Sequence, residues 1–136
     1  MAKYKILVPI DGSEKSMHSL DWLKKFFSWE DAEVTLLNVN QRIYSTEPLP
    51  ESLFVDAENE SRRIVEEAAK RMEFYNANTL TLQGYAPDVI LNEAITGKYD
   101  LIIMTKSSVK GISRIIGSVT SKVVRDSEVA VVIIPE

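Results

Sequence analysis

The residues of this chain best suited to chemistry lie in two stretches far apart in sequence. One is Asp11-Gly12-Ser13; the other runs from Thr105-Lys106-Ser107-Ser108 to Gly117-Ser118-Val119-Thr120. The second has the makings of an anion site. Gly117-Ser118 opens a predicted helix, where N–H groups without an intrahelical acceptor and the positive end of the helix dipole attract negative charge. Ser118 and Thr120 add hydroxyl donors, and Lys106, Lys110 and Arg114 add positive charge nearby. A plainer reading of the same residues stands beside it: Ser118 caps the helix and the cations are solvated.

Other chemistries find little support. The chain has no cysteine, so disulfides, thiolate metal sites and thiol catalysis are excluded. Its one histidine, His18, stands early in a predicted helix with no second base or nucleophile in sequence range, and a structural role suits it best. One histidine and no cysteine make no metal constellation. Asp11 could meet Mg²⁺ through the phosphates of a bound nucleotide, but a lone carboxylate is a poor site by itself. The formal net charge of −4 gives no field that favours nucleic acid or an anionic membrane. No apolar run nears the roughly 18 residues needed to cross a bilayer. A cytoplasmic protein is expected, with no nucleic-acid or membrane partner.

The elements that must position these residues follow from hydrophobic spacing. The 136 residues are read as one domain. Tyr4–Ile10 is a short, near-continuous apolar run ending at Asp11-Gly12-Ser13, as suits a strand buried on both faces. Ser13 caps the next helix, and Met17, Leu20, Leu23 and Phe27 recur at helical spacing to about Ser28. Glu33–Asn38 is a second strand, and Gln41–Pro50 a loop. Ala57, Ile64, Val65, Ala68, Met72 and Tyr75 form the stripe of a long helix from about Asp56 to Asn76. Thr79–Gln83 is a third strand broken by Gly84. Pro87 and Asp88 open a helix whose buried face is Ile90, Leu91, Ala94 and Ile95, and Gly97 ends it. Leu101–Met104, a short helix from Gly117-Ser118 to about Arg125, and Ala130–Ile134 complete the order.

Alternating strands and helices predict an α/β fold: a single open, doubly wound, parallel five-stranded sheet with helices on both faces. Right-handed crossovers leave few topologies, of which 3-2-1-4-5 is expected. In such sheets ligands bind at the carboxyl ends of the strands where the winding reverses, here between strands one and four. Pro9-Ile10-Asp11, Asn38-Val39-Asn40 and Met104-Thr105 should therefore meet in one crevice. That crevice lacks the G-x-G-x-x-G of a dinucleotide site and the G-x-x-x-x-G-K-[ST] of a P-loop. A phosphorelay receiver would want an aspartate ending strand three, where Leu82-Gln83-Gly84 stands.

Three pieces of the chain, in order and covering nearly all of it, resemble the universal stress protein family. Ile6-Leu-Val-Pro-Ile-Asp-Gly-Ser13 resembles the family's opening strand and V-D-G-S turn. Leu36-Leu-Asn-Val39 sits where the family has an L-H-V strand end. Met104 to Ile134 resembles the family's G-x-x-G-x9-G-[ST] loop, helix and closing apolar strand.

The resemblance implies an adenine-nucleotide alpha-hydrolase-like fold, often a homodimer joined through the last strand, here Val129–Ile134, with a regulatory or protective role in stress. It also implies ATP or another adenine nucleotide in the crevice. Carried over by position, Pro9, Ile10 and Val39 flank the adenine, Asp11 contacts the nucleotide near base or ribose, and Met104 lines the base pocket. Gly117, Ser118, Val119 and Thr120 hold the phosphates. The family's first two loop glycines correspond to Thr105 and Ser108, whose hydroxyls would stand in as donors, and the span from Ser108 to Gly117 is one residue shorter than the pattern. A β-branched threonine is ill suited to positive φ, so Thr105 is expected to weaken a cradle that needs it. The alternative is a dimeric protein-interaction module of the branch that does not hold ATP, with Thr105–Ile116 contacting a partner. ATP hydrolysis is a third possibility, with cations at hand but no residue besides Asp11 to orient water.

Overall fold

A computed structural model describes residues 3–41, 50–106 and 117–135. Five parallel strands, β1 (Tyr4–Pro9), β2 (Ala32–Asn40), β3 (Asn78–Gln83), β4 (Leu101–Thr105) and β5 (Ala130–Ile134), alternate with α1 (Glu14–Phe26), α2 (Glu51–Arg71), α3 (Ala86–Thr96) and α4 (Ser118–Asp126). The sheet order is β3-β2-β1-β4-β5, as expected. Every pairing is parallel, with Ile6 of β1 opposite both Val34 of β2 and Leu101 of β4.

The strand period of two divides the core between the sheet's faces. Ile6 and Val8 of β1 join Leu36, Met17, Leu20, Leu23, Ile64 and Val65 on the face covered by α1 and α2. Leu7 turns the other way, to Leu37, Ile90, Ala94, Ile102 and Val123 beneath α3 and α4. The middle of the central strand, Ile6 to Val8, is thus apolar throughout because neither of its faces meets water.

Several boundaries differ from the sequence reading. β2 runs from Ala32 to Asn40 rather than from Glu33 to Asn38. α2 starts at Glu51, well before Asp56, because its first turns carry exposed Leu53 and Val55, outside the stripe that begins at Ala57. It also ends early: Met72 leaves the helical path, Glu73–Tyr75 is a single 3₁₀ turn, and Asn76 takes a left-handed φ of 49°. In α3, Ile90 and Ala94 are buried, but Ile95 is 49% exposed and does not belong to the buried face. Gly97 is required by close approach rather than by φ, since a Cβ there would stand 2.4 Å from the Tyr99 ring. Trp22 and Phe27 pack against the core while Phe26 and Trp29 stay exposed.

Candidate functional site

At the end of β1 the chain leaves the ladder through a turn built by its own polar side chains. Asp11 Oδ1 accepts the Ser13 N–H at 2.9 Å, and Gly12 supplies the φ of +91° the turn needs. Ser13 Oγ accepts the Ser16 N–H at 3.1 Å, capping α1 as its sequence predicts. The buried Ser16 hydroxyl donates to the Ser13 carbonyl at 2.9 Å and accepts the Asp11 N–H at 3.3 Å.

The end of β2 is tied to three neighbours. Asn38 Nδ2 donates to the Ile10 carbonyl at 2.8 Å, and Asn40 Nδ2 donates to the Ala57 carbonyl of α2 at 2.7 Å. Gln41 Oε1 accepts the Ala86 N–H at 3.1 Å. That last bond caps α3 from a distance, for Tyr85 gives no side-chain cap. α4 is fastened beside α3 by Lys122, whose Nζ lies 2.9 Å from Asp88 Oδ1 and 4.9 Å from the centre of the Tyr85 ring. The hydrogen bond it donates to Asp88 raises the Lys122 ammonium above its ordinary pKa.

At the end of β4, Met104 and Thr105 are buried. The Thr120 hydroxyl donates to the Thr105 carbonyl at 3.1 Å, the Gly117 N–H to the Lys106 carbonyl at 3.0 Å, and the Lys106 N–H to the Ile134 carbonyl of β5 at 2.8 Å. Two expectations are corrected here. Ser118 does not cap α4; Gly117 occupies the cap position without a side-chain bond, and Ser118 is the first helical residue. Thr105 is the last residue of β4 and is not among the positive-φ residues, so its β-branch costs nothing there. The N–H groups of Ser118, Val119 and Thr120 lie in the first turn, where an α-helix offers no intrahelical acceptor.

These ends enclose a crevice of about 220 Å³ at the reversal of the winding. Of the residues singled out from sequence, Pro9, Ile10, Asp11, Val39, Met104, Thr105, Val119 and Thr120 line it. Gly117 and Ser118 are not among its lining residues but begin the helix that contributes Val119 and Thr120. Ser108, Lys110 and Arg114 lie outside the described residues, as does most of the Gln41–Pro50 loop.

Sequence reasoning missed Ser16, Leu37, Gln41, Ala86 and Ile90 as lining residues. Asn38 was expected at the crevice from its place near the end of β2; Gln41 and Ala86 had no signal, because only the folding of β2 against α3 brings them together. The crevice therefore pairs apolar walls (Pro9, Ile10, Leu37, Val39, Ile90 and Met104) with a few convergent polar groups, the usual composition of a small-molecule site. Among the described residues no group of three or more His, Cys, Asp or Glu side chains could hold a metal ion, and no helix is long and apolar enough to cross a membrane.

Comparison with solved structures places this architecture among known ones. The hypothetical protein MJ0577, whose biochemical function was assigned from its structure, is 28% identical, with a TM-score of 0.75 over 98% of this chain and 96% of that one. A universal stress protein in complex with cAMP is 21% identical, with a TM-score of 0.75 over 98% of each chain. A universal stress protein family protein from Arabidopsis thaliana, with AMP bound, is 20% identical, with a TM-score of 0.72 over 96% of this chain and 90% of that one. No curated protein matches. The sequence pattern of the family described as "Universal stress protein family" matches residues 4–135, nearly the whole chain. The chain belongs to the universal stress protein family.

Proposed function

We propose that this chain is a cytoplasmic, homodimeric regulatory or protective protein of the stress response that binds an adenine nucleotide, ATP among them, in the β1/β4 crevice. The observation that carries the reading is one juxtaposition: an apolar slot lined by Pro9, Ile10, Val39 and Met104 opens beside the start of α4, where no side chain caps the helix. Pro9, Ile10 and Val39 flank the base, Met104 lines its pocket, and Asp11 contacts the nucleotide near base or ribose. At about 220 Å³ the crevice suits the base end of the ligand. The phosphates extend over the first turn of α4, to the backbone of Gly117, Ser118, Val119 and Thr120, with Thr105 alongside. Mg²⁺ would arrive with those phosphates, Asp11 being the nearby carboxylate. The relatives with bound cAMP and AMP support the ligand class. The dimer forms by antiparallel pairing of β5, the apolar edge strand.

Titration calorimetry with ATP, ADP, AMP and cAMP tests the ligand. Saturable heat for at least one of them, weakened in Asp11→Ala, is expected; no heat at millimolar concentration would remove the ligand from the reading.

A second reading, a dimeric protein-interaction module without a small ligand, is favoured by a specific observation. The Gly117 N–H and the Thr120 hydroxyl proton, both candidate phosphate donors, are already engaged by the Lys106 and Thr105 carbonyls. Chromatography of the small molecules released on denaturing freshly purified protein separates the two. A stoichiometric nucleotide excludes the module; its absence, together with silent calorimetry, favours it.

A further inference from the structure

We propose that Asn38, supported by Ser61, is a positioning residue that sets the base-binding wall of the crevice; the inference rests on the adenine-nucleotide reading of that site. Asn38 sits in β2 between Leu37 and Val39, in a strand type from which asparagine is depleted. It is 6% exposed and Ser61 of α2 is 3% exposed, and polar groups so deeply buried are costly unless hydrogen-bonded.

Both partners are committed in one direction. The Ser61 hydroxyl donates to Asn38 Oδ1 at 2.5 Å, and Asn38 Nδ2 donates to the Ile10 carbonyl at 2.8 Å. The β1–β2 ladder ends where Pro9 faces Leu37, and the Ile10 N–H still reaches the Leu37 carbonyl at 2.8 Å. Beyond that point the Asn38 carboxamide donates to the Ile10 carbonyl, the place a backbone N–H of β2 would take if the ladder continued. One side chain thereby prolongs the ladder by a peptide group. It fixes the plane of the Ile10–Asp11 peptide, and with it the Ile10 side chain and the Asp11 carboxylate on the crevice wall. The bond continues into α2 through Ser61, so the wall is braced by three elements.

A purely structural role would be met as well by apolar residues of similar shape, since replacing both partners of a buried hydrogen bond in that way is often nearly neutral for stability. The polar pair differs from such a replacement in direction: it orients a carbonyl at the mouth of the site.

The test compares wild type, Ser61→Ala, Asn38→Leu and the double variant by calorimetry with adenosine and with guanosine, well below each protein's melting temperature. Near-ultraviolet circular dichroism confirms folding of each. Ser61→Ala is expected to weaken adenosine binding about threefold and Asn38→Leu about tenfold or more, with the adenosine-to-guanosine ratio narrowing in step. Ser61→Ala keeps the Asn38–Ile10 bond and guards against a misfolded Asn38 variant. Lower melting temperatures with wild-type adenosine affinity and an unchanged base ratio would overturn the proposal and leave Asn38 a core residue. Wild-type protein that binds neither adenosine nor AMP would overturn the site reading itself, and this inference with it.

Discussion

The two edges of the sheet are built from opposite chemistries. β3 alternates: Thr79, Thr81 and Gln83 are exposed, while Leu80 and Leu82 pack into the core beneath α3. Its polar side meets the polar flank of α2, where Gln83 Nε2 donates to Glu58 Oε1 at 3.4 Å, and a small notch between them is lined by Asn40, Glu58, Ser61, Arg62, Thr81 and Gln83. β5, Ala130-Val-Val-Ile-Ile134, has no polar residue. Val132 and Ile134 pack toward α1, Val131 and Ile133 toward α3 and α4, and Val131 to Ile133 stay only half-buried. An edge strand ordinarily carries lysine, proline or a bulge that discourages pairing. β3 shows the alternation of a strand finished by water, whereas β5 shows the apolar run of an interior strand placed at an edge. The contrast fits the proposed pairing through β5.

The edges can be set against each other experimentally. The largest effect is expected from Ile134→Ala, which empties a fully packed site and should cost about 3 kcal/mol in urea unfolding. Leu80→Ala, at a half-buried site on the opposite edge, should cost about half of that. Next, Val131→Lys should weaken the proposed dimer by about a hundredfold or more in sedimentation equilibrium, some 2.7 kcal/mol. Thr81→Lys should leave the sedimenting mass of the wild type unchanged. If Thr81→Lys dissociates the assembly and Val131→Lys does not, the roles of the edges are reversed.

Smaller effects are expected at the surface ion pairs of α4. Asp88→Asn removes the partner of Lys122 and should lower the melting temperature slightly at low salt, with the difference fading as salt screens the pair. The smallest concerns Asp126, at the end of α4 just before β5. Its hydrogen bond to Arg125 holds its carboxyl below the ordinary value of 3.8. A depressed carboxylate contributes stability above its unfolded pKa and loses it as the pH falls through the folded one. Asp126→Asn should therefore flatten the acid limb of thermal stability just below pH 3.8, and only slightly, because the pair is fully exposed.

Much of the fold was legible because its strands are apolar or alternating runs and its helices carry stripes at helical spacing, patterns that resist confusion. Boundaries failed where the pattern was silent. Leu53 and Val55 stand off the core stripe, so nothing in their spacing announced the first turns of α2. Ile95 has an apolar side chain at a plausible position, yet it is half exposed. In the site, Asp11, Val39 and Met104 were found by topology, since strand ends at a reversal must converge. The roles of individual donors were not. Ser118 reads as a cap residue by type, and only the path of the chain into α4 gives that place to Gly117. Thr120 reads as an anion donor, and only the approach of α4 to β4 engages its hydroxyl with Thr105.

By itself the sequence determined the number and order of elements, the winding of the sheet and the end at which a crevice opens. Those depend on periodicity and chain direction, which are local properties summed along the chain. The tertiary structure alone decided which polar groups hold one another and which face the crevice. A hydrogen bond acts over about 3 Å, and no spacing in sequence says which polar side chain will come within it of which backbone group, Asn38 of the Ile10 carbonyl or Gln41 of the Ala86 N–H.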